Sequence, residues 1–280
     1  MGVDADELIY ADRSGRGKLK VFGPQAAWFL DQILTQRFEG IRPGDSVETA
    51  MLTVHGRMTA HAECVATEDA ILCHFEPELR PGFRDDLARY VFATRVELED
   101  ATDAYGLLLL AGPGHEDAAR SSGGLVHATN ALGIPGVYVW VPAGDTEAVM
   151  RNIPGRRAVE QELEAIRIAN GVPRWGRDMD VKTLPQEVGI DAAAVHFEKG
   201  CYLGQEAMAK IHFRGKVNRK LVRIESEAEL DLGTELSDPE GGKAGSITSV
   251  SGDRALAVVK HTVEVPGVLH AGDVEAKVVA

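Results

Sequence analysis

The chain has 280 residues, of which 44% are hydrophobic and 26% charged, with a formal net charge of −13. Those values fit a globular chain long enough for one large domain or two to three smaller ones. No apolar run reaches membrane-span length, the opening MGVDADELIY is too acidic for a signal peptide, and the acid excess opposes tight nucleic-acid binding. The expected compartment is the cytoplasm.

GKLKVFG (17–23) reads as a strand, and Pro24 opens a helix through QAAWFLDQIL with Ala26, Phe29, Leu30 and Ile33 on one face. Beyond the turn signal RPGD (42–45), VETAMLTVH (47–55), RMTAHAECVA (57–66) and AILCHF (70–75) are strand-like. Cys64 and Cys73 fall inside these runs and read as core thiols, and His55, His61 and His74 as surface or packing residues. A helix is predicted from about Pro81, with Phe83, Leu87, Tyr90 and Val91 on one face. TRVELEDA (94–101) and YGLLLLAG (105–112) return to strand character, HEDAARSS (115–122) is helical, IPGVYVWVP (134–142) is a strand and DTEAVMRNI (145–153) a short helix. This alternation with an extra hairpin predicts an α+β architecture of split βαβ layers. VEQELEAIRIANGV forms a further helix, striped by Leu163 and Ile166 and stopped by Gly171 and Pro173. After Gly215, short strands cut by Gly, Asp and Pro turns predict a small all-β barrel.

Cys201, in EKGCYLGQE (198–206), sits in a polar turn rather than an apolar run. A helix starting close by would aim its free N–H groups at the sulfur, and Lys199 would add positive charge, both favouring thiolate. The alternative is a small turn residue packed on a sheet. Three cysteines without a CxxC pair give no disulfide framework and cannot complete a four-cysteine metal or cluster site. Glu187 lies in GVPRWGRDMDVKTLPQEVGID (171–191). A carboxylate fixed on a loop suits two parallel hydrogen bonds from an amidine-like edge, such as guanidine, aminopyrimidine or pterin. On its own it reads more readily as a solvated acid, and Trp175 as a stacking platform or core. AKIHFRGKVNRK (209–220) gathers Lys210, Arg214, Lys216, Arg219 and Lys220; it is an anion-binding run or a strand edge blunted by cations.

The run IRIANGVPRWGRDMDVKTLPQEVGID, followed by FEKGCYLGQEAMAKIHFRGKVNRKLV, closely resembles the YgfZ family of folate-binding proteins, within the superfamily of the glycine-cleavage aminomethyltransferase (T-protein). The signature Lys-Gly-Cys-Tyr-x-Gly-Gln-Glu is complete at Lys199, Gly200, Cys201, Tyr202, Gly204, Gln205 and Glu206. The likeness extends from GKLKVFGPQAAWFLDQILTQRFEGIRPGD to the terminal barrel. It implies a three-lobed fold around a central channel for tetrahydrofolate. The folate-binding halves would lie at 1–45 and 151–218, an inserted ferredoxin-like α+β domain at 46–150, and the β-barrel at 219–280. It further implies that Glu187 binds the pterin edge, with Trp175 and Arg214 completing the cofactor site. There is one departure. The aminomethyltransferases carry an aspartate on the second hairpin strand, whereas the matching HGRMTAHAECV has Thr59, Ala60 and His61 and no carboxylate before Glu63. That absence opposes standard aminomethyl transfer, and kinship of fold does not carry activity.

The expectation is therefore a tetrahydrofolate-binding accessory factor in the assembly or repair of iron–sulfur enzymes. Cys201 would be its functional thiol and a transient cluster ligand, and iron–sulfur assembly proteins or client enzymes its partners. A cluster there needs further thiols from outside the chain. The alternative is a folate-dependent one-carbon transferase or demethylase. A third reading, tRNA binding through 210–220 in a role linked to tRNA modification, is opposed by the net charge.

Overall fold

The computed structural model describes residues 5–279, apart from the side chain of Arg214. The N-terminal part supplies β1 (Ile9–Asp12), β2 (Gly17–Phe22), α1 (Ala26–Ile33) and the meander β3 (Ser46–Leu52), β4 (Met58–Ala66) and β5 (Ala70–Phe75). Next come α2 (Phe83–Ala88), β6 (Glu97–Asp100), β7 (Tyr105–Ala111), α3 (His115–Ser121), β8 (Leu125–Thr129), β9 (Gly136–Pro142) and α4 (Thr146–Asn152). β10 (Arg156–Arg157), α5 (Glu160–Ala169), α6 (Asp191–Ala194) and α7 (Gln205–Arg214) lead into the barrel. The barrel strands are β11 (Arg219–Ser226), β12 (Glu235–Ser237), β13 (Lys243–Ser251), β14 (Arg254–Lys260), β15 (Gly267–Ala271) and β16 (Val274–Val279).

Two five-stranded sheets, ordered β3-β4-β5-β2-β6 and β10-β1-β7-β9-β8, accompany the closed barrel β11-β14-β13-β12-β15-β16. The α+β reading and the barrel hold. The two sheets run across the expected boundaries at 46 and 150. β3 to β6 share a sheet with β2, which pairs with both β5 and β6, while β7 to β9 share the other sheet with β1 and β10. β1, which lacks a marked apolar alternation, was not among the predicted strands.

Side-chain alternation along β4 and β5 orients everything that follows. Ala60, Ala62, Cys64, Ile71 and Cys73 pack with α1 into one core, and Cys64 faces Cys73 in register. Val65 and Leu72 point the other way, into a second core shared with Ile9, Leu107, Leu109 and Trp140 of the other sheet and Leu163 and Ile166 of α5. Leu108 and Leu110 bury against α3 and α4 on the far face, so the unbroken run YGLLLLAG is a strand covered on both sides. The helix predicted from Pro81 is shorter than its pattern. It ends at Ala88 with Phe83 and Leu87 buried, Tyr90 and Phe92 are exposed, and Ala93 adopts a positive φ of 53°. No helix among the described residues is long and apolar enough to cross a membrane.

Candidate functional site

Where the two sheets face each other, roofed by α5 and the loop after it, lies a cavity of about 90 Å³. Its lining includes Arg16, His61, Glu63, Tyr138, Arg174 and Trp175. Arginines and acids cross it in a continuous network. Arg16 pairs with Glu76. Arg174 donates to Glu76 at 3.2 Å, Glu160 at 2.7 Å and Glu164 at 2.9 Å, and Arg13 reaches Glu160. Each N–H of Arg167 has an acceptor: Glu164 twice, Asp178, the Val172 carbonyl and Ser249. Asp178 in turn accepts from Thr248 at 2.6 Å and Ser249 at 2.7 Å on β13 of the barrel. Burial pushes the Glu76 carboxyl upward, but Arg16 and Arg174 outweigh it and hold the group below the usual carboxylate range. Four guanidiniums thus meet four carboxylates. Such a buried network gives register more than stability.

The sequence-predicted site residues do not all meet there. Trp175, 5% exposed, lines the cavity. Glu187 is buried in a short 3-10 turn, Pro185–Glu187, outside the cavity lining. Its carboxylate accepts the Leu184 N–H at 3.0 Å and two parallel bonds from Arg219, Nε at 3.1 Å and Nη2 at 2.8 Å. The amidine-like edge argued for Glu187 is therefore present, supplied by the chain's own guanidinium. Arg214 closes α7, and its side chain lies outside the described residues.

Cys201 is exposed. The expected activation by Lys199 is not built. The ammonium is buried and turns away to the carbonyls at the end of α1, those of Asp31, Leu34 (2.9 Å) and Gln36 (2.8 Å), with the Asp31 carboxylate 3.5 Å away. Burial, partly offset by Asp31, brings the Lys199 amine down to about 8. α7 starts only at Gln205, beyond Gly204. Gly204 has a φ of +83°, and a Cβ there would stand 2.5 Å from the Thr53 carbonyl oxygen, so this position accepts only glycine. Tyr202 is buried in the core with a hydroxyl that has no partner among the described residues. The motif is thus an anchored loop: Lys199, Tyr202 and Gly204 fix it, and Cys201 is left outside.

Comparisons with known proteins agree with this architecture. The model of the CAF17 C-terminal beta-barrel domain matches residues 218–280. An iron–sulfur cluster assembly factor IBA57 homologue from Phaeosphaeria nodorum is 30% identical over 38% of this chain and 25% of its own length. The glycine cleavage aminomethyltransferase T of Bartonella henselae superposes with a TM-score of 0.86 at 18% identity, covering 98% of this chain and 85% of that one. The chain is thus similar in part to CAF17 and IBA57 proteins and has the fold of an aminomethyltransferase. A chloroplastic protein of Arabidopsis thaliana, provisionally named a transferase, is 25% identical over 88% of this chain, which spans 62% of that relative's length.

The hairpin face that lines the cavity is informative. His61 is bonded to Glu48 at 2.7 Å. Two residues further on the same face of β4 stands Glu63, in the cavity lining. Burial raises its carboxyl to about 6, against the pull of Arg16 and the Thr129 hydroxyl. Sequence reasoning gave Glu63 and His127 no role and read His74 as a surface or packing residue; His74 and His127 are both buried. A histidine inside the wholly buried strand AILCHF was the available signal, since a polar ring there demands partners.

Proposed function

We propose that this protein is a tetrahydrofolate-binding accessory factor for the assembly or repair of iron–sulfur enzymes, with Cys201 as its functional thiol. The observation that carries the reading is how Cys201 is presented. A complete KGCYLGQE motif anchors the loop from both sides and leaves the sulfur exposed, as exchange with an outside thiol or cluster requires. The local likeness to IBA57 homologues supplies the iron–sulfur context, and the aminomethyltransferase-like fold supplies the folate context. Glu187 fits a pterin edge by its paired acceptor oxygens, provided that Arg219, whose side chain is 42% exposed, swings off it. The cavity has room for several waters and not for a whole folate, so a folate enters only as the surrounding side chains give way. When bound, tetrahydrofolate would supply one-carbon or redox chemistry, while the chain would orient it through Glu187 and Trp175. The test has two arms. A Cys201→Ala chain should fail to restore iron–sulfur enzyme activity to a strain lacking the gene, and restoration equal to wild type would remove Cys201 from the function. Anaerobic fluorescence titration with tetrahydrofolate should show weaker binding by Glu187→Ala, and equal affinities would remove Glu187 from the site.

A further inference from the structure

The run AKIHFRGKVNRK (209–220) has no part in the function proposed above, and the structure removes its simplest explanation. Cations blunt an exposed strand edge, but β11 is not an edge. It pairs with β14 from Arg219 to Glu225 and with β16 from Arg223 to Ser226, inside a closed barrel. Arg219 stands directly opposite the exposed Lys260 across the β11–β14 pair, a like-charge placement that costs stability.

Three segments converge at this end of the molecule. The turn between β3 and β4 lies against α7 and against the loop ahead of Glu187: a Cβ on Gly56 would meet Ala207 at 3.2 Å and Leu184 at 3.6 Å. Arg57 of that turn donates to the Lys182 carbonyl, and so does Arg219 at 3.3 Å. Residues 53–57, 180–184 and 205–220 together hold seven lysines and arginines against two acids, in a chain of net charge −13. Arg57, Lys182, Lys210 and Lys216 are exposed. Among the described residues Arg219, bound to Glu187, is the one cation of these segments with an ion pair. Val54, Val181 and Phe213 are each more than half exposed among them, and α7 turns Glu206, Lys210 and Phe213 outward as one stripe.

Exposed ion pairs are worth little singly, so a ligand for this face must use its apolar side chains as well as its cations. A polypeptide with both carboxylates and apolar side chains does so, and a phosphate chain does not. Length discriminates further. Charges act over about 8 Å at physiological salt, so a short acidic segment meets this face alone. A nucleic acid or an anionic membrane extends past it and meets the acid excess of the remaining chain. We propose that this face, with Arg57, Lys182, Lys210 and Lys216 set around Val54, Val181 and Phe213, docks an acidic, apolar-studded segment of a partner protein. Gly204 holds the neighbouring loop against Thr53, and the three residues from there to Cys201 span at most about 11 Å. A docked segment therefore brings its owner to the exposed sulfur. That use rests on the iron–sulfur reading; the docking itself does not.

The test is a fluorescence anisotropy titration of the full-length protein with a labelled peptide of about twelve residues alternating glutamate with leucine, long enough to cross the face. The combined change Lys182→Glu, Lys210→Glu and Lys216→Glu should weaken binding at least about tenfold and flatten its salt dependence. Val54→Ser with Phe213→Ser should weaken it about fivefold and leave the salt dependence in place. Cys201→Ala should bind as wild type, and bound peptide should slow alkylation of Cys201 by iodoacetamide severalfold; an unslowed rate would separate the face from the sulfur. Thermal melts equal to wild type would show that the variants fold. No saturable binding, or no effect of the two serine changes, overturns the proposal. So does equal or tighter binding of oligouridylate RNA or phosphatidylserine vesicles. Self-association in sedimentation that the glutamate changes abolish would make another copy of this chain the occupant and also overturn it. If the peptide docks and Cys201→Ala still restores iron–sulfur enzyme activity, the docking stands and the iron–sulfur reading falls. If Cys201→Ala fails to restore it and no peptide binds, the reading stands and the docking falls.

Discussion

Lys199→Met separates two roles for the motif lysine that the sequence alone leaves mixed. In the folded chain its ammonium serves three backbone carbonyls at the end of α1 and the Asp31 carboxylate, with 1% of the side chain exposed. Asp31 also accepts the Phe38 N–H at 2.7 Å, so the turn leaving α1 hangs on the same cluster. Methionine keeps the stem and removes the cation, leaving a buried carboxylate unpaired and three carbonyls without their donor. Breaking a buried pair in this way costs about 3–5 kcal/mol, which for a chain of this size lowers Tm by roughly 6–15 °C. Differential scanning calorimetry measures that loss, and the alkylation rate of Cys201 by iodoacetamide, well below the new Tm, measures the other role. The expected result is a large drop in Tm with an alkylation rate within about twofold of wild type. A stable variant whose Cys201 alkylates many times more slowly would refute the placement of Lys199 and restore it as the activator of the thiol.

Three further outcomes are expected. Glu63→Gln should match wild type in stability at pH 4 and exceed it by about 2 kcal/mol at pH 7 by chemical denaturation. The folded chain holds the Glu63 proton to about pH 6 and the unfolded chain only to its ordinary 4.5, so wild-type stability from this group falls as pH rises between those values and is level above; a difference independent of pH would be the contrary result. Arg219→Ala should bind tetrahydrofolate about tenfold more tightly, a gain of about 1.4 kcal/mol, because it vacates the edge of Glu187; weaker binding would mean that Arg219 itself holds the ligand. Gly204→Ala should lose more than about 2 kcal/mol from the left-handed φ and the contact with the Thr53 carbonyl, and an unchanged Tm would contradict the close approach of the two loops.

Local signals carried much of this fold into the sequence. AILCHF, IPGVYVWVP and the Gly-Asp-punctuated strands after Gly215 are legible because a strand's alternation and its turn chemistry lie within a few residues. The motif around Cys201 is legible for the same reason. What could not be read is whatever depends on distant partners. Arg16, Glu76, Arg174 and Glu160 meet across stretches with no shared pattern, and each alone is an ordinary surface charge. The direction of Lys199 was invisible because a lysine beside a cysteine in sequence says nothing of where its long stem points. The sorting of strands into sheets was not legible for a related reason: β2 serves a sheet formed mainly by residues after it, and pairing is a choice among distant edges.

Arg167 holds one further implication. Its guanidinium is saturated, gripping Glu164 of its own helix on one side and Asp178 and Ser249 on the other, while Asp178 grips the barrel strand. The wall of the cavity and the attachment of the barrel are therefore one object. An anionic occupant that drew Arg167 toward itself would weaken the barrel's seat, and by reciprocity a partner that clamped the barrel would make Arg167 harder to recruit. Ligand and partner need not touch to compete, because both would be negotiating for a single side chain.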